Sequence, residues 1–234
     1  MVDWHFVALP IVQIRGAKNP IEEFKDWVSR MVVISPIPVM FSSESSEETL
    51  YPDEHVSNFA DWFNGVLSAY PASYSVIEKF LRQTMPDFQD FQNKSVGENT
   101  KRVVVRFGGD DFSLPLDFSR LSSGEKMFFV CALLLGANKY YGPTFCYWDE
   151  PDNYVSMAEV GHMMQTLRKS FKASGQLFVT SHNAETVRKF SDDTTLCLSR
   201  KSHMEPTMTQ WLSQLHYDGD LINALIRGDI ANGE

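Results

Sequence analysis

The chain has 234 residues, a formal net charge of −9 and a pI near 5.2, with 43% hydrophobic and 22% charged residues. This composition is typical of a globular protein and excludes a largely disordered chain. The acidic balance argues against a broad nucleic-acid-binding face, although a local basic patch is compatible with it. No apolar stretch approaches the roughly 20 residues that span a bilayer, and no signal-peptide pattern precedes the fold, so no membrane partner is expected.

The three cysteines are Cys131, Cys146 and Cys197, and each lies in an apolar run. Their number is odd and their spacing does not suggest pairing. We therefore expect buried, reduced thiols and a cytoplasmic protein.

Residues 1–100 are predicted to form a mainly helical region. Residues 21–33 carry apolar side chains at helical spacing, and the two prolines of ISPIPVM (34–40) end that helix. The acidic, serine-rich segment 41–49 has the composition of a solvated surface loop.

Two more helices are predicted in this region, over 56–70 and 72–85, and Pro86 ends the second. Their recurring aromatic residues indicate core positions rather than a binding site. Next along the chain, KRVVVRF (101–107) and FSLPLDF (112–118) flank GGDD, which predicts a β-hairpin.

From residue 121 helices and strands alternate. The predicted order is a helix over 125–140, a strand over 144–149, a helix over 157–172, a strand over 176–182, a helix over 184–190 and a strand over 194–200. The strands read as buried, and such alternation predicts an α/β fold with a parallel sheet and right-handed crossovers. Ligands of these sheets lie at the carboxyl ends of the strands, where Asp149, Glu150 and His182 occur.

Four segments together resemble the ABC-type ATPases. LSSGEK (121–126) resembles their signature loop, whose usual form is close to LSGGQ, and FCYWDE (145–150) resembles a Walker B strand. PDNYVS (151–156) resembles the loop that follows Walker B, and VTSHN (179–183) resembles the switch-histidine strand. The order and spacing match as well, so 101–234 is identified as the C-terminal lobe of such an ATPase.

Finer features resemble the RecF- and SMC-like branch, whose members act in DNA repair and phage defence. These features are the long insert ahead of the signature and the DEP sequence (149–151). Three other stretches, ISPIPVM, VSNFADWFN and LINALIRGDI, resemble the defence-associated members, including Septu-type ATPases.

The resemblance implies ATP hydrolysis with Mg²⁺. Asp149 would hold the metal through a water, Glu150 would act as general base on the attacking water, and His182 would hydrogen-bond the γ-phosphate. Adjacent strand residues point to opposite faces, which would separate the two carboxylates. The alternatives are an acidic pair favoured by a helix dipole, and a packed or capping histidine.

The resemblance also implies that the signature loop works in trans, on the γ-phosphate held by the other subunit of an ATP-dependent dimer. Its candidate residues are Ser122, Ser123, Gly124 and Lys126. The sequence departs from the family pattern at three positions: Ser123 replaces a glycine, Glu125 replaces a glutamine, and Ser156 stands where an aspartate is usual.

A phosphate-binding loop of the form GxxxxGK[ST] does not occur in the 234 residues. Gln13 is a weak candidate for the family's glutamine loop. We therefore expect the C-terminal half of an ATPase, whether truncated or naturally split, that needs a Walker A-bearing half as its partner.

Two other functions stay open. The fold could serve as a non-catalytic scaffold or sensor for a partner such as a nuclease, or as the engine of an ABC transporter. Intact Glu150 and His182 favour the enzyme, because a scaffold has no physical need of both. DNA is a further candidate partner.

Overall fold

The computed structural model describes residues 19–109, 112–142, 144–190, 192–215 and 219–228. Its helices are α1 (Pro20–Ser29), α2 (Phe59–Ala69), α3 (Ser73–Thr84), α4 (Ser123–Tyr140), α5 (Met157–Ala173), α6 (Ala184–Val187) and α7 (Leu221–Arg227). Its strands are β1 (Met31–Ile34), β2 (Glu44–Ser45), β3 (Phe88–Ser95), β4 (Lys101–Gly108), β5 (Ser113–Asp117), β6 (Phe145–Asp149), β7 (Gln176–Thr180), β8 (Leu196–Ser199) and β9 (Met208–Trp211). Within these residues, no helix is long and apolar enough to cross a membrane.

A three-stranded parallel sheet has the order β1–β6–β7, so the predicted α/β class is confirmed. The prediction of one helix over 21–33 is wrong at its end, because α1 stops at Ser29 and Met31–Ile34 pairs in parallel with β6. The apolar run MVVI holds three β-branched residues, which favour a strand over a helix. Its side chains at Val32 and Ile34 are buried.

A second, antiparallel sheet has β4 at its centre. β3 pairs along one edge of β4, while β2 and β5 pair with different parts of β4. The hairpin of β4 and β5 is confirmed, although residues 110 and 111 of its turn lie outside the described residues. Strand β3 was not predicted, because Phe88 and Phe91 do not alternate regularly with its polar residues.

The segment 41–49 is not a wholly solvated loop. Phe41 is 5% exposed and stacks against Phe59, with ring centroids 5.8 Å apart. Ser45 is 1% exposed and belongs to β2, which pairs with β4. The prediction of a surface loop rested on composition alone. The burial comes from tertiary contacts, which a serine-rich composition does not indicate.

Helix α4 is the centre of the core. Its side chains are buried from Lys126 to Asn138, all round the helix, as expected of a helix enclosed by other elements. The Phe129 ring contacts five other phenylalanine rings, those of Phe59, Phe63, Phe88, Phe91 and Phe118. Burial raises the pKa of the Cys146 thiol to about 12. Cys131 is also buried, whereas Cys197 is only partly so.

The predicted α2 and α3 are confirmed, and α3 ends at Thr84, two residues before Pro86. Both sheets combine strands from the two sides of residue 100. The predicted division at that residue stays a prediction.

The last part of the fold differs from the prediction of buried parallel strands. Within the described residues β7 is an edge strand with Phe178 55% exposed, because one face of the sheet is uncovered there. β8 pairs antiparallel with β9 instead of joining the parallel sheet, because β9 follows closely in the chain. Helix α6 spans only Ala184–Val187, shorter than the predicted 184–190.

Candidate active site

Asp149 is the last residue of β6, and hydroxyl groups from both neighbouring strand ends reach its carboxylate. Thr180 ends β7 in register with Asp149 and donates its hydroxyl to Oδ1 at 2.5 Å. Ser35, the residue after β1, donates to Oδ2 at 3.4 Å. The parallel register of the three strands therefore gathers these side chains at one edge of the sheet.

Glu150 leaves the strand with a backbone φ of 48°, in the left-handed region that non-glycine residues rarely adopt. The expectation that strand alternation separates Asp149 from Glu150 is therefore wrong. Glu150 lies outside β6, and the left-handed turn, not strand alternation, sets the direction of its side chain. Its amide donates to the Thr180 hydroxyl at 3.0 Å. Its carboxylate accepts a hydrogen bond from Asn153 Nδ2 at 2.6 Å.

His182 and Glu150 contact each other, with 3.1 Å between Nδ1 and Oε1. An ionised carboxylate only accepts hydrogen bonds, so the proton of this bond belongs to Nδ1 and Nε2 is left for a second partner. The side chain of His182 is 75% exposed, and that of Glu150 is 40% exposed. The two predicted catalytic residues thus meet on an accessible surface.

A buried carboxylate that the sequence reasoning did not single out lies beneath this surface. Asp152 is 7% exposed, and its Oδ2 accepts hydrogen bonds from Ser181 Oγ at 2.6 Å and Thr186 Oγ1 at 2.9 Å. It joins the loop after β6 to the segment that carries His182. A signal for it existed in the PDN sequence, a turn-forming run directly after a buried strand.

The signature segment begins α4. Ser122 is the N-cap: its Oγ accepts from the Glu125 amide at 3.3 Å, and its own amide donates to Glu125 Oε2 at 2.7 Å. This reciprocal capping box gives Glu125 a local structural role. Ser123 is the first helical residue and is exposed.

Gly124 lies against the loop that follows the carboxylates. A β-carbon on Gly124 would stand 3.0 Å from the carbonyl oxygen of Tyr154, tighter than side chains usually pack. Tyr154 itself has a left-handed φ of 74°. The glycine therefore permits a close approach of the signature helix to the loop after β6.

Lys126 does not lie with Ser122 and Ser123 on the surface. It is 7% exposed, its ammonium donates to the carbonyl oxygen of Pro38 at 3.2 Å, and it lies 5.9 Å from the Phe118 ring centroid. Burial lowers the pKa of this ammonium group. A phosphate contact would require the side chain to leave this position.

Ser156 precedes α5 and donates its hydroxyl to Glu159 at 2.5 Å. Ser156 is thus the N-cap residue of α5, at the position where the ABC family usually has an aspartate. Gln13 lies outside the described residues.

The donor set around Asp149 fits magnesium. Among the described residues, the side chains hydrogen-bonded to this carboxylate are the hydroxyls of Ser35 and Thr180. Mg²⁺ prefers oxygen ligands and is often held by one or two carboxylates together with substrate phosphates. Within the described residues, no group of three or more His, Cys, Asp and Glu could hold a metal by itself. Asp149, the predicted metal ligand, would therefore need water and substrate to supply most of the other ligands.

No protein-family model and no curated protein matches this chain. Solved structures do. An Smc head domain with a coiled coil and joint from Pyrococcus yayanosii has a TM-score of 0.53 and 12% identity, covering 74% of this chain and 32% of its own. A head bound to the C-winged helix domain of ScpA has a TM-score of 0.51 and 16% identity, covering 66% of this chain and 47% of its own.

A third structure comes from work on ATP-driven dimerization and DNA-stimulated activation of SMC ATPases. Its TM-score is 0.51 at 15% identity, with 64% of this chain and 91% of its own chain covered. The chain thus spans less than half the length of the first two matched structures and most of the third. The Septu-type resemblance stays a prediction. At these identities the similarity concerns the fold alone: the described residues have a mixed α/β fold with a parallel sheet, similar to the SMC head ATPase core.

Proposed function

We propose that this chain is the C-terminal half of an ABC-type ATPase and hydrolyses ATP to ADP and phosphate once a Walker A-bearing segment completes the site. The observation that carries the proposal is the meeting of Asp149, Glu150 and His182 at the carboxyl ends of β6 and β7. The SMC-head fold supports an ATPase-type function.

Asp149 has the role of metal ligand in this proposal. When bound, Mg²⁺ neutralises charge on the phosphate oxygens. The hydroxyls of Ser35 and Thr180 hold both oxygens of Asp149, so the carboxylate is oriented before the metal arrives.

Glu150 acts as the general base and His182 as its partner. Glu150 polarises the attacking water, and its accessible carboxylate allows a water to approach. The Nδ1–Oε1 contact orients both groups and leaves His182 Nε2 to hydrogen-bond the γ-phosphate.

Ser122, Ser123 and Gly124 act in trans on the γ-phosphate of the other subunit in an ATP-dependent dimer. The N-terminus of the 18-residue helix α4 directs amide groups and a favourable dipole toward an anion. The burial of Lys126 leaves backbone amides and serine hydroxyls as the contacting groups.

The biological setting that we propose is DNA processing, repair or anti-phage defence. This setting follows the resemblance of the insert and the DEP sequence to the RecF- and SMC-like branch. DNA and a nuclease are the corresponding candidate partners.

The test is the Glu150→Gln substitution in an assembly of this chain with the Walker A-bearing segment, called the phosphate-binding segment below. The amide keeps the shape but loses the basicity, so turnover should fall by about 100-fold or more while ATP binding and the ATP-bound dimer persist. Steady-state phosphate release and light scattering measure the two effects.

Glu98→Gln is the matched control, since it makes the same chemical change on the exposed connection between β3 and β4. Its turnover should equal that of the parent. Turnover of Glu150→Gln within tenfold of the parent would rule out Glu150 as general base.

A further inference from the structure

The hydroxyl of Thr180 makes two hydrogen bonds to consecutive residues of the site. It lies 2.5 Å from Asp149 Oδ1 and 3.0 Å from the Glu150 amide nitrogen. No other side chain of the described residues is hydrogen-bonded to both residues.

The direction of each bond follows from the groups involved. A hydroxyl has one proton and two lone pairs, an ionised carboxylate only accepts, and an amide N–H only donates. Thr180 therefore gives its single proton to Asp149 and accepts the proton of the Glu150 amide. Each bond fixes the orientation that the other requires.

The second bond holds an uncommon backbone conformation. Glu150 has a φ of 48°, and a non-glycine residue persists in this region only when its surroundings impose it. The turn is what directs the Glu150 carboxylate to His182 while Asp149 stays with Ser35 and Thr180.

We propose that Thr180 is a positioning residue of the ATPase site, whose hydroxyl holds the metal-binding carboxylate of Asp149 and the left-handed turn at Glu150 at the same time. This inference rests on the proposed function for its effect on turnover, but the hydrogen bonds exist in the chain without nucleotide. Ser35 is secondary, because its bond to Asp149 is longer, at 3.4 Å, and it makes none to Glu150.

The first test needs only this chain. Amide hydrogen exchange, read residue by residue by NMR, should show a protected Glu150 amide in the parent. Thr180→Val keeps the size of the side chain but removes the hydroxyl, so this amide should exchange about tenfold faster, the loss expected for one hydrogen bond. Thr180→Ser keeps the hydroxyl and should retain the protection.

The second test uses the assembly with the phosphate-binding segment. Thr180→Val should lower kcat by about 100-fold, since small displacements of reacting groups have effects of this size, and should leave KM for ATP nearly unchanged. Thr180→Ser should recover kcat to within a few-fold of the parent. If Thr180 were needed only for folding, the substitution would lower the amount of folded protein. It would not lower kcat while KM stays the same.

Two results would overturn the inference. One is a Glu150 amide that exchanges in the parent as freely as an unprotected amide, which needs no variant and holds even if Thr180→Val does not fold. The other is a kcat for Thr180→Val equal to that of Thr180→Ser. Failure of Glu150→Gln to slow turnover would refute the proposed function, and the exchange measurement would still decide the role of Thr180.

Discussion

At the scale of single residues, Lys126 and Asp152 are buried charged side chains with structural roles, although they lie near a site whose proposed function depends on charged groups. Lys126 places its ammonium on a carbonyl oxygen beside an aromatic ring, and Asp152 accepts two hydroxyl protons. Such groups are stabilising only while their partners remain, because an unpaired buried polar group is costly. Residue type alone could not separate them from the exposed charges of the site.

Asp152→Ala should destabilise the chain by about 1–3 kcal/mol, because it removes the acceptor for the hydroxyls of Ser181 and Thr186. Asp152→Asn keeps one carbonyl oxygen in place of Oδ2 and should lose less. Urea denaturation of both variants measures the difference. Equal losses for Ala and Asn would show that the two hydrogen bonds contribute little and that the carboxylate charge matters instead.

At the scale of secondary-structure elements, α4 connects the core to the signature segment. Burial of residues 126–138 stabilises this helix, and the capping box at Ser122 and Glu125 determines where it begins. The predicted trans contact and the local cap use the same serine. Any test of the contact must therefore separate it from helix stability.

Two substitutions at Ser122 make that separation. Ser122→Ala removes the cap and should cost about 1 kcal/mol of stability. Ser122→Asp keeps a good N-cap, so the stability should stay near that of the parent, but its charge should repel a γ-phosphate and prevent the ATP-dependent dimer. Thermal unfolding and light scattering measure the two properties. A Ser122→Asp variant that dimerises with ATP as the parent does would contradict the trans role.

The elements that could be predicted are those whose period or caps are encoded locally. The strong apolar run of α4, the spacing of α2, α3 and α5, and the hairpin of β4 and β5 are examples. β1 was missed because its four residues continue the apolar spacing of α1, and its strand state depends on pairing with β6, which lies more than 100 residues away. The same limit applies at the site: the strand ends indicated Asp149, Glu150 and His182, whereas the left-handed turn at Glu150 and the hydroxyls around Asp149 arise from tertiary contacts.

At the scale of the whole molecule, one face of the parallel sheet is incompletely covered by the described residues. Val33, Tyr147 and Phe178 are aligned in one row across the three strands, and Val33 and Phe178 are 53% and 55% exposed. Trp27 of α1 packs against Phe145 at the start of β6, with ring centroids 5.8 Å apart. Parallel sheets are normally covered on both faces, and among the described residues this row of side chains is the part of the sheet that lacks such a cover.

At the same scale, this chain alone is expected to have negligible affinity for ATP. Most charge-assisted bonds to a triphosphate come from the amides and lysine of a phosphate-binding loop, and no GxxxxGK[ST] string occurs in the sequence. Asp149 and Glu150 would repel the polyanion unless Mg²⁺ lay between them. Calorimetric titration of the chain with Mg-ATP, up to about millimolar concentration, should therefore give no saturable heat.

Adding the phosphate-binding segment should restore saturable binding, and the same segment with its loop lysine replaced by alanine is the matched control. That control should bind weakly, since it retains the fold but lacks the cation that contacts the β- and γ-phosphates. Binding by the isolated chain with a Kd near micromolar would contradict the proposal. It would place a complete nucleotide site within these 234 residues, built on residues other than a Walker A loop.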